Sequence, residues 1–349
     1  MKTVSIAGRL IGEGKPCFII AEAGVNHNGD IKLAKKLIDV AQKVGANAIK
    51  FQTFKAEDLV TKSAEKAEYQ KETTGSEGTQ FEMIKKLELT ERDFKELFVY
   101  AQEKGILFLS SPFDKESADL LDELGVATFK VPSGEITNFP LLKHIARKMK
   151  PIILSTGMAT LEEVKEALDV IKEEGEEEII LLHCVSSYPA KIEDMNLKAM
   201  ETLGNTFRLP VGLSDHSLGI TIPIAATALG ACVIEKHFTL DKNLPGPDHR
   251  ASLEPEELKQ LVTTIRDVEK AMGNGVKRPT KNEEENKKVA RRSIVARVDI
   301  PRDTIITEEM LDIKRPGTGL EPKYINTIVG RKVKKHIKSE EPISLAKIE

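Results

Sequence analysis

The sequence predicts an α/β fold, a (β/α)8 TIM barrel followed by a small C-terminal domain. Its 349 residues are too many for one small domain and fit one large domain joined to a smaller one. Eight short β-rich runs alternate with longer amphipathic stretches up to residue 273, where the pattern becomes polar and irregular. Eight successive strand–helix units are typical of the barrel.

The predicted strands are short runs of apolar and β-branched residues, each bounded by polar or turn-forming residues. A doubly wound open sheet is the competing architecture. We favour the barrel because no glycine-rich phosphate-binding turn follows the first run. The eight runs lie at 17–24, 47–53, 105–112, 127–135, 151–157, 178–186, 209–216 and 231–237.

Helical patterns fill the gaps between these runs. The stretch 30–45 places its apolar residues on one stripe and ends at Gly45, which suits a helix C-terminus. The stretch 160–175 opens with Thr160 and Glu163, the two side chains of a capping box. These signals predict one helix after the first strand and another after the fifth.

The expected domain boundaries follow from the change from periodic apolar runs to polar, irregular sequence after residue 273. We expect the barrel over residues 1–275, a polar linker without periodicity over 276–290, and a small domain over 291–349. The small domain carries 13 basic and nine acidic residues. Such a basic module could bind its own barrel, a partner's barrel or an anionic ligand.

Composition excludes several classes of protein. The chain has 52 basic and 55 acidic residues, a balance that argues against nucleic-acid binding and against attachment to a membrane surface. Its three cysteines lie in or beside apolar runs, so we expect buried free thiols in a reducing compartment. The sequence shows neither a signal peptide nor an apolar run of about 18 residues. We therefore expect a cytoplasmic protein.

Polar residues close every one of the predicted strands. A TIM barrel carries its active site at the C-terminal ends of its strands. At one position such a residue is unremarkable, because strands end at the surface, but eight together indicate an active site. The residues are Glu22, Lys50 and Gln52, Ser110 and Ser111, Lys130, Ser133 and Glu135, Ser155 and Thr156, His183 and Ser186, Ser214, Asp215 and His216, and Lys236 and His237.

Two of these residues suggest a metal site. His216 and His237 end the seventh and eighth predicted strands, which are neighbours in a closed barrel, so their imidazoles could meet at metal-ligand distance. With substrate oxygens and water in the other positions, they would suit an exchangeable Mn²⁺ and, less well, Mg²⁺. The alternative is a hydrogen-bonded structural pair. Lys50 and Lys130 would add the cations that bind a small phosphorylated carboxylate.

Seven motifs in order along the chain resemble one family, the sialic acid synthases, which make nine-carbon nonulosonic acids. The C-terminal domain resembles the antifreeze-like, or SAF, module of those enzymes. The resemblance implies a transferase that condenses phosphoenolpyruvate with an open-chain N-acetylmannosamine-type sugar and releases phosphate. It also implies a divalent metal ion, Mn²⁺ or alternatively Mg²⁺ or Co²⁺. The motifs are "IIAEAGVNHNGD", "AIKFQT", "FKVPSGEITNFPLL", "ILSTGM", "GLSDHS", "EKHFTLDKNLPGPDH" and "KRPGTG".

The resemblance implies roles for individual residues. His216 and His237 match the metal ligands, and His249 is expected to be structural. Arg315 matches an arginine that one subunit inserts into its partner's barrel, which implies a domain-swapped homodimer. Phosphoenolpyruvate would be bound by Lys50, Lys130, Ser111, Ser133, Ser186 and Ser214. The amino sugar would face Glu22, Glu135, Tyr188 and Asp248, and the catalytic residues would be Glu22, Lys50, Lys130 and Glu135.

The choice of sugar is less clearly marked in the sequence. N-acetylneuraminate synthases of several bacteria carry "KHQTH", whereas this chain has "KFQTF" and places Glu77 before "QFEM". We expect an N-acetylneuraminate synthase, with N,N'-diacetyllegionaminate synthase, which uses 2,4-diacetamido-2,4,6-trideoxymannose, as the alternative. Two further classes stay open: another phosphoenolpyruvate-dependent aldol synthase, and a non-catalytic carbohydrate-binding or ice-binding protein.

Overall fold

A computed structural model describes residues 3–349 of the chain. The chain divides into two compact units, one ending at Gly273 and the other spanning Asn274–Glu349. Within the described residues, no helix has both the length and the apolar character needed to cross a membrane.

Eight parallel strands of the first unit form one sheet within residues 3–349. Their order is β5-β4-β3-β10-β9-β8-β7-β6, and the Cα atoms of β5 and β6 approach within 8 Å, so the sheet curls into a nearly closed barrel. The predicted strands and the barrel are thereby confirmed. The strands of this unit are β1 (Val4–Ile6), β2 (Arg9–Ile11), β3 (Phe18–Gly24), β4 (Ala48–Thr53), β5 (Leu107–Pro112), β6 (Phe129–Val131), β7 (Ile152–Ser155), β8 (Ile179–Cys184), β9 (Val211–Asp215) and β10 (Val233–His237).

Helices follow every barrel strand. Three short ones, α2 to α4, are inserted before α5, and the predicted capping box of Thr160 and Glu163 opens α8. The helices of this unit are α1 (Ile31–Lys43), α2 (Ala56–Leu59), α3 (Glu68–Thr74), α4 (Gln80–Lys85), α5 (Glu91–Lys104), α6 (Lys115–Leu124), α7 (Phe139–Ala146), α8 (Leu161–Glu173), α9 (Ala199–Phe207), α10 (Thr221–Ala228) and α11 (Pro255–Met272).

The barrel has an inner and an outer apolar layer, because successive side chains of a strand point to opposite faces. On β3, Ile20 packs in the interior with Ala48 and Leu109. Its neighbour Ile19 faces outward and belongs to the layer that includes Leu37 of α1. Burial of both layers fixes the register of the strands, and therefore fixes which side chains reach the mouth of the barrel.

An N-terminal hairpin closes the opposite end of the barrel. Strands β1 and β2 pair antiparallel, with Val4 opposite Ile11. Val4, Ile6 and Ile11 are buried in the interior cluster that includes Phe18, the first residue of β3. The sequence did not predict this hairpin, because two three-residue strands are too short to show a period.

The second unit has its own core. Strands β11 and β12 pair antiparallel, and further apolar residues from the loops complete the core. The elements are α12 (Lys281–Ala290), β11 (Ser293–Ala296), β12 (Leu311–Lys314) and α13 (Ile325–Ile328). The fully buried core side chains include Ile294, Ala296, Ile300, Val333, Ile337 and Ile343.

The segment 276–290, predicted to be an irregular linker, contains helix α12. The hydroxyl of Thr280 accepts a hydrogen bond from the backbone N–H of Glu283, and the carboxylate of Glu283 accepts one from the backbone N–H of Thr280. Surface pairs such as Lys288 with Glu285 add a little helix stability. No side chain of α12 is buried. An apolar stripe is therefore lacking, and the capping box was the signal that could have predicted this helix.

Candidate active site

The C-terminal ends of the barrel strands surround a cavity of about 490 Å³. This is the end at which barrel enzymes place their active sites. Of the predicted site residues, Glu135 is not part of its lining, and Arg315 belongs to the second unit. Eleven of the predicted residues line the cavity: Glu22, Lys50, Ser111, Lys130, Ser133, Ser186, Tyr188, Ser214, His216, His237 and Asp248.

Strand alternation decides which polar residues at the strand ends reach this cavity. On β10, Glu235 and His237 point inward and line it. Lys236 points the other way, and its Nζ lies 2.6 Å from Oδ2 of Asp215 on β9. Both partners are buried, so they form an ion pair inside the barrel wall. His183 also faces outward, and its Nε2 lies 2.7 Å from a backbone carbonyl oxygen.

Four buried charges form the floor of the cavity. Lys50 Nζ lies 2.5 Å from Glu22 Oε2 and 3.8 Å from Glu235 Oε2, and Lys130 Nζ lies 3.2 Å from Glu235 Oε1. Each residue is at most 4% exposed, so the two positive and two negative groups must compensate one another. Sequence reasoning missed Glu235. Its place two residues before His237, on the same strand face, was the signal that could have found it.

These groups perturb one another's protonation. Burial raises the pKa of Glu22 to about 7, against the opposing effect of Lys50. Burial also lowers the pKa of Lys130, which Glu235 only partly offsets. For Lys50, burial lowers the pKa, but the carboxylates of Glu22 and Glu235 outweigh it, so the pKa is raised. A carboxyl group poised near neutrality is suited to exchanging protons with a substrate.

Serine hydroxyls surround the floor. Lys50 Nζ donates to Ser111 Oγ at 3.2 Å, and Ser214 Oγ donates to Glu235 Oε1 at 3.0 Å. The backbone N–H of Gly157 donates to Ser133 Oγ at 2.9 Å, and a Cβ at residue 157 would lie only 2.7 Å from that oxygen. A side chain at residue 157 would therefore displace the Ser133 hydroxyl from this hydrogen bond.

The two predicted metal ligands lie side by side. The ring centroids of His216 and His237 are 5.5 Å apart. Nδ1 of His216 donates to the carbonyl oxygen of Val185 at 2.8 Å, which leaves Nε2 with a free lone pair. The buried Nδ1 of His237 has no hydrogen-bond partner within residues 3–349. Burial, followed by the positive neighbours, holds the pKa of His237 well below its usual value, so its imidazole is neutral.

These features fit a metal ion held by the imidazoles of His216 and His237. A buried ring nitrogen without a hydrogen-bond partner destabilises the folded protein, unless a ligand or metal ion binds to it. In the described part of the chain, no group of three or more His, Cys, Asp and Glu side chains could hold a metal ion. A metal bound by His216 and His237 would therefore need oxygens from substrate or water, as an exchangeable catalytic ion does.

Of the residues expected to face the sugar, Tyr188 and Asp248 line the cavity near His216. The ring of Tyr188 contacts that of His216, with centroids 4.1 Å apart and the ring planes tilted by 33°. Asp248 is buried, and burial raises its pKa to about 6. Glu135 lies on the turn after β6 and accepts a hydrogen bond from Asn138 at 2.7 Å, outside the cavity lining. Its predicted catalytic role stays a prediction.

The loop that carries Asp248 is anchored by the residue next to it. His249 is fully buried, with Nδ1 2.7 Å from the Thr239 hydroxyl and Nε2 3.1 Å from Oδ1 of Asn28. Because the amide oxygen only accepts, Nε2 carries the proton and Nδ1 accepts from Thr239. His249 thus links this loop to the loop after β3, which agrees with the structural role expected for it.

His27, in the same loop after β3, makes barrel stability depend on pH. Its Nδ1 accepts a hydrogen bond from Gly29, and burial lowers its pKa to about 4. Between pH 6.5 and 4 the unfolded state binds the extra proton, so stability falls as pH falls. We expect His27 to account for about 2 kcal/mol of the free energy of unfolding lost between pH 7 and pH 5. In denaturant titrations, the free energy of unfolding of His27→Asn should fall by about 2 kcal/mol less between pH 7 and pH 5 than that of wild type. An equal fall in wild type and His27→Asn would contradict the prediction.

The fold and cavity define a TIM-barrel protein whose charged cavity lies beside a pair of histidines. Comparisons with known proteins identify its family. Residues 37–277 match the NeuB family and residues 291–349 match the SAF domain. N,N'-diacetyllegionaminic acid synthases of Legionella pneumophila and Campylobacter jejuni are each 53% identical, covering 92% and 94% of this chain and 92% and 99% of theirs. The crystal structure of N-acetylneuraminic acid synthetase from Leptospira borgpetersenii superposes with a TM-score of 0.73 at 40% identity, covering 82% of this chain and 95% of that one.

The chain therefore belongs to the NeuB family and carries a C-terminal SAF domain. It is a transferase that forms carbon–carbon bonds in nonulosonic acid synthesis. The predicted family, fold and enzyme class are confirmed.

Proposed function

We propose that the protein is an N,N'-diacetyllegionaminate synthase, which condenses phosphoenolpyruvate with 2,4-diacetamido-2,4,6-trideoxymannose. The observation that carries this proposal is the 53% identity, over more than nine-tenths of the chain, to two synthases of that name. The Leptospira N-acetylneuraminic acid synthetase is less similar, at 40% identity. The comparisons thus favour the alternative over N-acetylneuraminate, which the sequence led us to expect first.

The charged floor is suited to phosphoenolpyruvate. Lys50 and Lys130 supply two ammonium groups in a buried site, where charge-assisted hydrogen bonds to phosphate and carboxylate are strong. Hydroxyls of Ser111 and Ser214 already bond to this charged network. Glu22 and Glu235 keep the empty site close to neutral, and the incoming anion would take over part of their interaction with the lysines.

The sugar would lie on the side of Tyr188 and Asp248. In the reaction, C3 of phosphoenolpyruvate bonds to C1 of the aldehyde, whose oxygen takes up a proton. Water then adds at C2 and loses a proton, and the resulting tetrahedral hemiketal phosphate breaks its C–O bond to release phosphate and leave a 2-keto acid. Glu22, whose carboxylate lies beside Lys50 on the cavity floor, is placed to accept the proton of that water.

A divalent ion, for which Mn²⁺ is our first choice, would be held by His216 and His237. When bound, it would supply Lewis acidity that polarises the aldehyde oxygen. The tautomer of His216 is set by its hydrogen bond to Val185, so Nε2 is free for this role.

Initial rates of phosphate release test the proposal. We expect the value of kcat/KM to be higher with 2,4-diacetamido-2,4,6-trideoxymannose than with N-acetylmannosamine, and mass spectrometry should find one nonulosonic acid per phosphate. Higher efficiency with N-acetylmannosamine would return the assignment to N-acetylneuraminate synthase. Phosphate release with neither sugar would overturn both assignments.

The domain-swapped homodimer stays a prediction, and complementation tests it. Arg315 is exposed just after β12, so it is available to another subunit. An Arg315→Ala subunit and a His237→Ala subunit should each be inactive. When mixed, they should regain up to about a quarter of wild-type activity, because half of the subunits enter heterodimers with one intact site each. If tagged subunits exchange and no activity returns, Arg315 does not act in the partner's barrel.

A further inference from the structure

The cavity has two unlike halves. The strand ends supply the charged half, and the connection between β4 and α5, residues 54–90, supplies much of the other. We call these residues the β4–α5 segment. Its contribution to the cavity is largely apolar. The apolar side chains are those of Phe54, Leu59, Val60, Ala67, Met83, Ile84 and Leu87, and the polar ones are those of Tyr69, Gln70 and Gln80.

The β4–α5 segment is held in place as a wall. Phe54 and Leu87 are buried in a small apolar cluster with Val25. Lys66 is 8% exposed, and its Nζ donates to the carbonyl oxygens of Gly75 at 2.9 Å and of Glu77 at 2.7 Å. A buried ammonium group that bonds two carbonyls of one turn fixes the path of the chain between α3 and α4. The side chain of Glu77 itself is exposed there.

Ring contacts connect this wall to the predicted metal ligands. Tyr69 of α3 stacks on Tyr188 with centroids 5.2 Å apart, and the ring of Tyr188 contacts that of His216 in a tilted arrangement at 4.1 Å. An open-chain sugar with its aldehyde end near His216 would extend past the ring of Tyr188. Its far end would then meet the apolar side chains of the β4–α5 segment.

Three polar side chains of this wall are hydrogen-bonded to one another. Gln80 Nε2 donates to Gln70 Oε1 at 3.3 Å, and Gln70 Nε2 donates to the Tyr69 hydroxyl at 3.3 Å. Among the described residues that line the cavity, the only lysines are Lys50 and Lys130, both on the charged floor, and arginine is absent. A phosphate group at the far end of a sugar would therefore find no ammonium or guanidinium partner among the described residues that this chain contributes to the wall.

We propose that the β4–α5 segment selects a sugar whose far end is a methyl group, and so discriminates against a 6-hydroxyl and more strongly against a 6-phosphate. The inference rests on the proposed function and names the part of the site that makes the choice. An apolar wall distinguishes a methyl group from a hydroxymethyl group by roughly 10- to 100-fold. Discrimination against a 6-phosphate should be far stronger, because a phosphate dianion would lose its hydration at this wall without gaining a cation as partner.

Two substitutions test the role of the β4–α5 segment by changing the polarity of a side chain while keeping its size. Met83→Gln and Val60→Thr each place a polar group where an apolar one lines the cavity. The measurement is the ratio of kcat/KM for 2,4-diacetamido-2,4,6-trideoxymannose to kcat/KM for its 6-hydroxy counterpart. We expect a wild-type ratio of about 10 to 100. Each variant should lower it several-fold, while the KM for phosphoenolpyruvate is unchanged.

Matched control variants show whether a lower kcat/KM ratio is due to the polar side chain or to a general disturbance of the structure of the segment. Met83→Leu keeps the wall apolar and should keep the wild-type ratio. Phe81→Gln changes the same helix outside the cavity lining and should also keep it. Wild-type enzyme should show no detectable turnover of N-acetylmannosamine 6-phosphate under conditions in which it turns over N-acetylmannosamine.

The outcomes distinguish this inference from the proposed function. Equal efficiency with the 6-deoxy and 6-hydroxy sugars, or an unchanged ratio in both folded variants, would overturn the role of the β4–α5 segment and leave the proposed function standing. Turnover of the 6-phosphate would also overturn it. Failure to condense either 2,4-diacetamido sugar would instead overturn the proposed function.

Discussion

Replacing Glu22 by glutamine should lower kcat by roughly 10²- to 10⁴-fold, the range expected when a proton-transfer group is lost. The substitution keeps the shape of the side chain and removes its charge, which lies 2.5 Å from Lys50 Nζ on the cavity floor. Losing a negative charge beside the lysines makes the site more positive, so the KM for phosphoenolpyruvate should not rise. Steady-state phosphate release over a range of both substrates would measure the two effects separately.

A second carboxylate provides the control for this prediction. Glu176 is also buried, but its carboxylate accepts a hydrogen bond from the backbone N–H of Glu178, just before β8, and neither residue lines the cavity. Glu176→Gln should keep wild-type kcat. If Glu22→Gln remains folded with undiminished kcat, or if only its KM for phosphoenolpyruvate changes, Glu22 is not a proton-transfer group.

Removing divalent metal should abolish turnover, and Mn²⁺, Co²⁺ or Mg²⁺ should restore it. The unpartnered Nδ1 of His237 and the free Nε2 of His216 are the observations that lead us to expect this. Binding can be followed without activity: metal at 100 times its Kd should stabilise the folded protein by about 2.7 kcal/mol, visible as a rise in Tm. His216→Ala and His237→Ala should lose both the bound metal and the rise in Tm.

The control for the metal prediction is a histidine far from the cavity. His144 of α7 lies 2.7 Å from Asp119 of α6 on the outer layer of the barrel, so His144→Gln should bind metal as wild type does. Full activity in exhaustively chelated enzyme would contradict the prediction. His216 and His237 would then have to act through hydrogen bonds alone.

The barrel could be predicted from sequence because its signals are local and repeated. Each strand coincides with an apolar run. The first turn of a helix such as α8 is marked by capping-box residues, here Thr160 and Glu163. Helix α12 was missed because it buries no side chain, so only its capping box marked it. The β1–β2 hairpin was missed because its burial depends on residues distant in sequence, such as Phe18.

The site was partly predictable for a related reason. Strand ends and motifs identified eleven lining residues, but polarity alone does not tell which face of a strand a residue occupies. Lys236 and Glu235 are adjacent and both charged, yet only Glu235 lines the cavity. Period-two alternation, applied from His237 backwards, would have assigned both correctly. The apolar wall of the β4–α5 segment could not be predicted, because its side chains meet the cavity only through tertiary packing.

One competition experiment tests the proposed synthase activity most directly. Purified protein, Mn²⁺ and limiting phosphoenolpyruvate would be supplied with equal amounts of 2,4-diacetamido-2,4,6-trideoxymannose and N-acetylmannosamine, and the products identified by mass spectrometry. We predict that N,N'-diacetyllegionaminic acid predominates and that one phosphate is released per molecule formed. Predominance of N-acetylneuraminic acid, or phosphate release without any nine-carbon product, would contradict the proposal.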